Sequence, residues 1–173
     1  MSDRKLQIKR AALTVFARYG LRKTSMEDVA QEAGISRPAL YQYFRNKDDL
    51  VGACFDLVTE DGFEQADAAA VHETSPAAKV TAFLVAYTTF YYRILFSAPH
   101  SDEILELKTR FGADKVAAAR KRAAKRLNQL AGKPDGDETG IILAQAGEGL
   151  KMLAPDEATL VRRVTRLTQA LLT

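Results

Sequence analysis

Cysteine, proline and tryptophan are scarce in this chain of 173 residues, which has one cysteine, five prolines and no tryptophan. A single cysteine cannot form an intramolecular disulfide, so we expect no disulfide-stabilised scaffold. Long apolar runs are also missing. The longest stretch without a charged side chain covers residues 80–92, whereas a membrane-spanning helix needs about 18 or more apolar residues. We therefore expect no segment that crosses a membrane.

The N-terminus also lacks the pattern of a secretory signal. Its first ten residues, MSDRKLQIKR, carry five charged side chains, and no apolar core with a small-residue cleavage site follows. Apolar residues make up 47% of the chain and charged residues 27%, which is typical of a globular protein and excludes disorder. These observations predict a folded protein in the cytoplasm.

Positive charge is concentrated in the first 50 residues. They hold ten Lys and Arg against six Asp and Glu, whereas the remaining residues hold 15 basic and 16 acidic side chains. A basic segment attached to a near-neutral remainder is typical of a chain with a small nucleic-acid-binding module. The asymmetry is only a few charges, so it supports such a module without establishing it.

Apolar residues recur at helical spacing along almost the whole chain, and no stretch shows the two-residue alternation of a strand. Gly20 is placed to end the first helix, and Ser36 to cap the third. We therefore predict an all-α fold. The predicted helices cover about residues 3–19, 25–34, 36–44, 47–70, 76–97, 101–131, 137–153 and 156–172, with a break near Gly112 left open.

Two of these short helices share one turn in the sequence SMEDVAQEAGISRPALYQYF, residues 25–44. Ala30 is small where the second helix must cross closely, and Gly34 permits a backbone turn with positive φ. This pattern predicts a helix-turn-helix, whose second helix lies in the DNA major groove. The apolar side chains spaced to pack against one another are Val29, Ala30, Ala33, Ile35, Leu40 and Phe44.

The surrounding sequence, TSMEDVAQEAGISRPALYQYFRNKDDL, closely resembles the TetR family of bacterial transcriptional regulators. The resemblance covers about residues 5–55, and the rest of the chain matches only in its helical pattern. It implies an N-terminal DNA-binding domain, residues 1–46, and a helical effector-binding and dimerisation domain, residues 47–173. It also implies a homodimer that binds double-stranded DNA at a near-palindromic operator.

Within this motif, Arg37 can pair with guanine and Gln42 can read adenine. The other predicted groove contacts are Pro38 and Ala39, which can touch a thymine methyl group. The side chains assigned to the phosphate backbone are Tyr41 and Tyr43 through their hydroxyls and, by resemblance to the family, Thr24, Ser25 and Lys47.

Two residues of the motif have alternative interpretations. Tyr41 could instead be a core aromatic that closes the three-helix unit. Glu27 would repel phosphate, so it is either an acceptor for a base edge or a capping residue, and we favour the cap, because the sequence Thr24-Ser25-Met26-Glu27 has the pattern of a capping box.

The second half contains a stripe of aromatic residues at helical spacing. Such stripes usually form core, but buried tyrosine hydroxyls need hydrogen-bond partners, and the TetR-like proteins hold an effector between these helices. We therefore weigh a core against a pocket for a small, largely apolar ligand. The candidate pocket residues are Phe55, Phe83, Tyr87, Phe90, Tyr91 and Phe111.

Residues 115–126 carry six Lys and Arg and no acid. The simplest interpretation is a solvated helix face, and the alternatives are a site for an anionic ligand or an auxiliary DNA surface.

Cys54 is expected to fill the core rather than act as a redox sensor. No metal-ligand spacing, catalytic triad or glycine-rich phosphate loop is present, so we expect neither a metal, a cofactor nor an enzyme.

Small residues in the last two helices allow close helix approach. By resemblance to the family, these two helices form a four-helix interface with a second subunit. The candidate interface residues are Ile141, Ile142, Gly149, Leu160, Val164, Leu167 and Leu171.

The leading hypothesis is a dimeric repressor released from its operator by a ligand. The alternatives are a DNA-binding protein controlled by a protein partner and a helical enzyme with an incidental helical hairpin.

Overall fold

The computed structural model describes residues 3–97, 100, 103 and 113–172, and every regular element in these ranges is helical. The all-α prediction is confirmed for this part of the chain. The elements are α1 (Asp3–Tyr19), α2 (Met26–Glu32), α3 (Arg37–Tyr43), α4 (Lys47–Val71), α5 (Pro76–Tyr92), a π-helical turn (Arg93–Ser97), α6 (Ala113–Leu130), α7 (Glu138–Leu153) and α8 (Glu157–Leu172).

Most helix ends lie within a few residues of their predicted positions, because capping residues fix them. Gly20 follows α1 with a φ of +81°, and Ser75 accepts a hydrogen bond from the backbone N–H of Ala78 at the start of α5. The α-helical part of α5 is shorter than predicted, since it ends at Tyr92 and continues as a π-helical turn. The predicted break near Gly112 lies outside the described residues.

The chain divides into two compact units. The first consists of Met1–Glu60 and Ala98–Phe111, and the second of Asp61–Ser97 and Gly112–Thr173. Helix α4 contributes to both. The prediction of a DNA-binding domain over residues 1–46 and an effector domain over residues 47–173 concerns function and stays a prediction.

The first unit has a core made by α1, α2, α3 and the first turns of α4. Ala30 has no exposed surface, in agreement with its predicted place at a close helix crossing. Cys54 also lies in this core, and burial raises the pKa of its thiol to about 12. The largest buried side chains of this core are Ile8, Met26, Leu40, Phe44 and Leu50.

The second unit packs the remainder of α4 with α5, α6, α7 and α8 around a larger apolar core. Its fully buried large side chains are Phe63, Val80, Phe83, Leu84, Leu127, Leu143, Leu160 and Val164. A buried side-chain amide ties α6 to α7: Asn128 Nδ2 donates to the carbonyl oxygen of Asp137 at 2.8 Å, and Asn128 Oδ1 accepts from the backbone N–H of Gly140 at 2.8 Å.

Candidate functional site

Helix α2 begins at a capping box built by Ser25 and Asp28. The backbone N–H of Asp28 donates to Ser25 Oγ at 3.2 Å, and the backbone N–H of Ser25 donates to Asp28 Oδ2 at 2.7 Å. The hydrogen bond from the Ser25 hydroxyl is the main reason that the pKa of Asp28 is lowered. The prediction that Glu27 is the capping carboxylate is wrong. The N-cap is Ser25 rather than Thr24, so the residue three positions later, whose carboxylate accepts from the N-cap backbone N–H, is Asp28.

Thr24, immediately before this cap, has its side chain inside the first unit. It is only 3% exposed, and its hydroxyl donates to the carbonyl oxygen of Gly20 at 2.7 Å. The threonine therefore closes the turn between α1 and α2. This corrects the expectation that the Thr24 side chain contacts phosphate, while Ser25 remains exposed at the start of α2.

A tight turn and a second cap fix the position of α3. Gly34 has a φ of +64°, as its place in the sequence predicted, and this backbone conformation is rarely adopted by residues with a side chain. Ser36 Oγ accepts a hydrogen bond from the backbone N–H of Ala39 at 3.3 Å. Leu40 and Phe44 are buried in the core of the first unit, so they anchor the inner face of α3.

The outer face of α3 carries the side chains that the sequence assigned to DNA. Tyr41 is 42% exposed, so it does not close the core, which was the alternative interpretation. Tyr43 is half-buried and packs in part against the core, which leaves it less accessible than Tyr41. Among the other assigned residues, Ala39 is half-buried, and Arg37, Pro38 and Gln42 are exposed.

Arg37 lies between an acid and an aromatic ring. Its Nε atom is 4.0 Å from Oε2 of Glu27 on α2, and its guanidinium carbon is 5.7 Å from the centre of the Tyr41 ring. Hydrogen bonding to Tyr41 is the main reason that the pKa of Arg37 is raised, so the side chain stays charged. The arrangement presents a cation with several N–H donors at the exposed start of α3.

Lys47, the first residue of α4, is bound to backbone carbonyls. Its Nζ atom is 2.5 Å from the carbonyl oxygen of Thr24 and 3.5 Å from that of Arg22. The ammonium group therefore links the start of α4 to the turn that precedes α2. Sequence reasoning assigned Lys47 to phosphate alone and missed this structural role.

A carboxylate from a distant part of the chain also contacts this turn. Glu103 Oε2 accepts a hydrogen bond from the backbone N–H of Arg22 at 2.8 Å, and Glu103 Oε1 would lie 2.8 Å from a Cβ atom at Gly20. Glycine at position 20 therefore leaves the space that the carboxylate occupies. No sequence signal points to this contact, because the partners are 81 residues apart.

The aromatic side chains of α5 pack against one another in the second unit. The ring of Tyr87 is 5.1 Å from Phe63, 5.8 Å from Phe83 and 5.0 Å from Tyr91, measured between ring centres. Phe90 meets Tyr91 edge-on at 5.2 Å. Burial is the main reason that the pKa of Tyr87 is raised, and the neighbouring Tyr91 adds to the effect.

These contacts change the list of predicted pocket residues. Phe83 has no exposed surface, so it belongs to the core, and its assignment to a pocket lining is wrong. Phe55 belongs to the first unit rather than to the aromatic cluster of the second, and Phe111 lies outside the described residues. Tyr87, Phe90 and Tyr91 are half-buried, and their role as pocket residues stays a prediction.

Most cations of residues 115–126 interact with other side chains of the second unit. This favours a structural explanation for the basic run over an anion site or an auxiliary DNA surface. The contacts are Arg120 with Glu148 at 2.7 Å, Arg126 with Asp67 at 2.7 Å, Lys125 with Asp135 at 2.8 Å, and Arg122 over the ring of Phe63 at 3.9 Å.

Helices α7 and α8 present an apolar face with a shallow depression. Leu160 and Val164 are fully buried within the second unit, so their assignment to a dimer interface is wrong. Of the other predicted interface residues, Ile142, Gly149 and Leu171 are exposed, and Ile141 and Leu167 are half-buried. The depression is lined by Ala146, Gly149, Leu150, Arg163, Arg166 and Leu167, and Leu153, the last residue of α7, is 78% exposed.

Among the described residues, no group of three or more His, Cys, Asp or Glu side chains is placed to hold a metal ion. None of the described helices has the length and the apolar character needed to cross a membrane.

Comparison with known proteins points to one family. Residues 8–54 match the family model described as bacterial regulatory proteins, tetR family. A curated relative, the uncharacterized HTH-type transcriptional regulator YfiR of Bacillus subtilis (strain 168), is 34% identical over 71 residues, which are 41% of this chain and 35% of that protein. The matched part therefore spans about a third of the length of this relative.

Solved structures resemble almost the whole chain. A TetR-like transcriptional regulator from Rhodococcus sp. RHA1 matches with a TM-score of 0.63 and 23% identity, over 98% of this chain and 95% of that one. A transcriptional regulator from Cytophaga hutchinsonii ATCC 33406 matches with a TM-score of 0.77 and 18% identity, over 95% of this chain and 94% of that one. At these identities the likeness shows a shared fold, and the second unit is part of it.

Proposed function

We propose that the chain is a TetR-family regulator and binds DNA at specific sequences, because residues 8–54 match the tetR family model and a solved TetR-like regulator shares the fold of almost the whole chain. The observation that carries the proposal is the outer face of α3, where Arg37, Tyr41 and Gln42 are exposed on a helix fixed by the Gly34 turn and the Ser36 cap. A helix held rigidly by its inner face can present its outer side chains to base edges in one orientation.

In this proposal α3 enters the major groove, and its side chains make different kinds of contact with the DNA. Arg37 donates to O6 and N7 of guanine, and Gln42 reads adenine. Pro38 and Ala39 let the helix approach closely, since both side chains are short. Contacts to phosphate set the register but carry no sequence choice; we assign them to Ser25, Tyr41, Lys47 and the N-terminus of α4, with a smaller contribution from half-buried Tyr43.

A homodimer would place two such helices on one face of DNA. Their centres would then be separated by about 34–36 Å, one turn of the double helix, and the operator would be nearly palindromic. We propose that the exposed apolar face of α7 and α8 forms the contact between subunits. It includes Ile142, Gly149, Leu167 and Leu171 of the predicted interface residues, together with Ala146 and Leu153.

We further propose that the protein is a repressor and that a small, largely apolar ligand in the second unit releases it from DNA. The half-buried rings of Tyr87, Phe90 and Tyr91 offer apolar surface with hydroxyl groups, which is the usual composition of a small-molecule site. A ligand can release DNA only if it binds the DNA-free conformation more tightly than the DNA-bound one.

One observation favours a second candidate, control by a protein partner instead of a ligand. The ring of Tyr87 contacts the rings of Phe63 and Tyr91, so much of its apolar surface is already covered by side chains of the same chain. A compound panel scored by thermal shift separates the two candidates. A ligand-controlled repressor gains stability with a hit and loses operator binding, whereas a partner-controlled protein responds to no compound in this way.

The experiment that tests the DNA-binding function is selection of bound sequences from fragmented bacterial genomic DNA with purified protein. A DNA-binding regulator enriches fragments that share a near-palindromic sequence, and the Arg37→Ala variant enriches a different or broader set. Equal recovery of all fragments by the wild-type protein would contradict the proposal.

A further inference from the structure

We propose that Glu27 on α2 determines DNA specificity by positioning Arg37, and this inference rests on the proposed DNA-binding function. The two side chains come from different helices, and Glu27 Oε2 lies 4.0 Å from Arg37 Nε. Both are well exposed, with 62% of the Glu27 side chain and 57% of the Arg37 side chain accessible. The pair therefore lies on the surface proposed to meet DNA.

Glu27 is not needed to cap its own helix. Asp28 supplies the capping carboxylate through Ser25, and Glu27 occupies the preceding position in the first turn of α2. Helix α3, with the sequence RPALYQY, contains no acidic residue of its own. The carboxylate that faces Arg37 is therefore provided by the neighbouring helix.

The position of the carboxylate determines which side of the guanidinium remains for DNA. Glu27 approaches the Nε edge, and the Tyr41 ring lies 5.7 Å from the guanidinium carbon. The terminal nitrogens of an arginine carry the N–H groups that match the two acceptors of guanine, O6 and N7. With its Nε edge directed toward Glu27, Arg37 is oriented to present these terminal nitrogens to a base.

The same carboxylate lowers the attraction of Arg37 for phosphate. An exposed arginine binds any phosphate strongly, because phosphate is an anion with paired acceptor oxygens. A neighbouring negative charge reduces that attraction, whereas guanine is neutral and loses much less. An exposed ion pair has little effect in water, but its influence grows where the groove displaces water and the dielectric constant falls. Glu27 thus weakens non-specific binding more than specific binding.

The test compares four variants with the wild-type protein: Glu27→Gln, Arg37→Ala, the double variant, and Glu32→Gln as a control. Glu32 lies on the same helix but pairs with Arg18, at 3.5 Å, so its replacement removes the same charge away from Arg37. Each protein is titrated against the selected operator, all its single-base variants and unrelated DNA, and binding is followed by fluorescence anisotropy at several salt concentrations.

We expect Glu27→Gln to strengthen binding to unrelated DNA by about 3- to 10-fold. It should also reduce the preference for the base read by Arg37, which is about 5- to 150-fold for a good bidentate contact, by at least about 3-fold. Glu32→Gln should leave that preference unchanged. In the Arg37→Ala background, Glu27→Gln should have no further effect on it.

The proposal is overturned if Glu27→Gln leaves the base preference unchanged, or if it alters the preference only at a base pair that Arg37→Ala does not affect. The second result would mean that Glu27 contacts a base directly. Wild-type protein with no sequence preference at all would overturn the DNA-binding proposal and this inference together. Clear wild-type preference that Glu27→Gln does not change would overturn this inference alone.

Discussion

The ammonium group of Lys47 donates a hydrogen bond to the backbone carbonyl oxygen of Thr24, with 2.5 Å between Nζ and the oxygen. Lys47 begins α4, and Thr24 lies in the turn that leads into α2. The bond therefore links the start of α4 to the turn before α2 within the first unit. It also gives a lysine that family resemblance assigns to phosphate a second role within the fold.

Replacing Lys47 by alanine should affect both roles. We expect Lys47→Ala to lower the free energy of unfolding by about 1 kcal/mol, since a hydrogen bond to a charged group is lost at a partly exposed position. It should also weaken binding to all DNA sequences alike and reduce the salt slope by about one ion per site. Chemical denaturation and DNA titrations at several salt concentrations measure the two effects.

The matched control for Lys47 is Lys23→Ala, which removes a charge from an exposed position of the same turn. This variant should keep wild-type stability. Equal stability of Lys47→Ala and Lys23→Ala would show that the hydrogen bond to Thr24 contributes nothing measurable.

A second prediction concerns assembly through α7 and α8. Leu171→Glu or Ile142→Glu should yield folded monomers, because each places a charge in the proposed apolar contact between subunits while the altered side chain is exposed in the single chain. Sedimentation should show half the wild-type mass, and operator binding should be lost. Ala158→Glu, at an exposed position in the first turn of α8, should remain dimeric.

Val164→Glu should behave differently from these variants. Val164 is fully buried in the second unit, so a carboxylate there should unfold the chain rather than merely separate subunits. Dimers that persist in both Leu171→Glu and Ile142→Glu would place the subunit contact on another surface.

A third prediction concerns the capping box at α2. Hydrogen bonds from Ser25 lower the pKa of Asp28 in the folded state. The carboxylate therefore stabilises the fold at pH values above the pKa of an unfolded aspartate, about 4. This stabilisation is lost as the pH falls through the lower, folded-state pKa. Asp28→Asn should thus melt below the wild-type temperature at pH 6, and the difference should narrow as the pH falls below about 4.

Thermal melts between pH 3 and pH 7 measure this effect. Ser25→Ala is the matched variant, because it removes the partner of Asp28 and should show the same convergence at low pH. A constant difference between wild type and Asp28→Asn over the whole range would mean that the cap acts through its hydrogen bonds without regard to charge.

The sequence was sufficient to predict the helices and the helix-turn-helix, because local signals determine them. Gly20, Gly34 and Ser36 act through backbone conformation or through bonds to residues three or four positions away. The error at the capping box was also local. Both Thr24 and Ser25 can cap a helix, and only the structure shows that the Thr24 hydroxyl is bonded to Gly20.

Contacts between distant residues could not be predicted in the same way. The sequence shows that Leu160 and Val164 are apolar, but not that they face the core of their own unit while Leu171 faces outward. The contacts of Glu103 with the α1–α2 turn and of Glu27 with Arg37 depend on how helices are placed in space. Neither contact leaves a pattern in the spacing of residues.

The most direct test of the central claim measures the base preference of wild-type protein and of Arg37→Ala on the selected operator and on every single-base variant of it. If α3 reads DNA in the major groove, the wild-type protein should discriminate at one position by about 1–3 kcal/mol and Arg37→Ala should lose that discrimination while keeping the preferences at other positions. An unchanged preference profile in Arg37→Ala would contradict the assignment of α3 as the recognition helix.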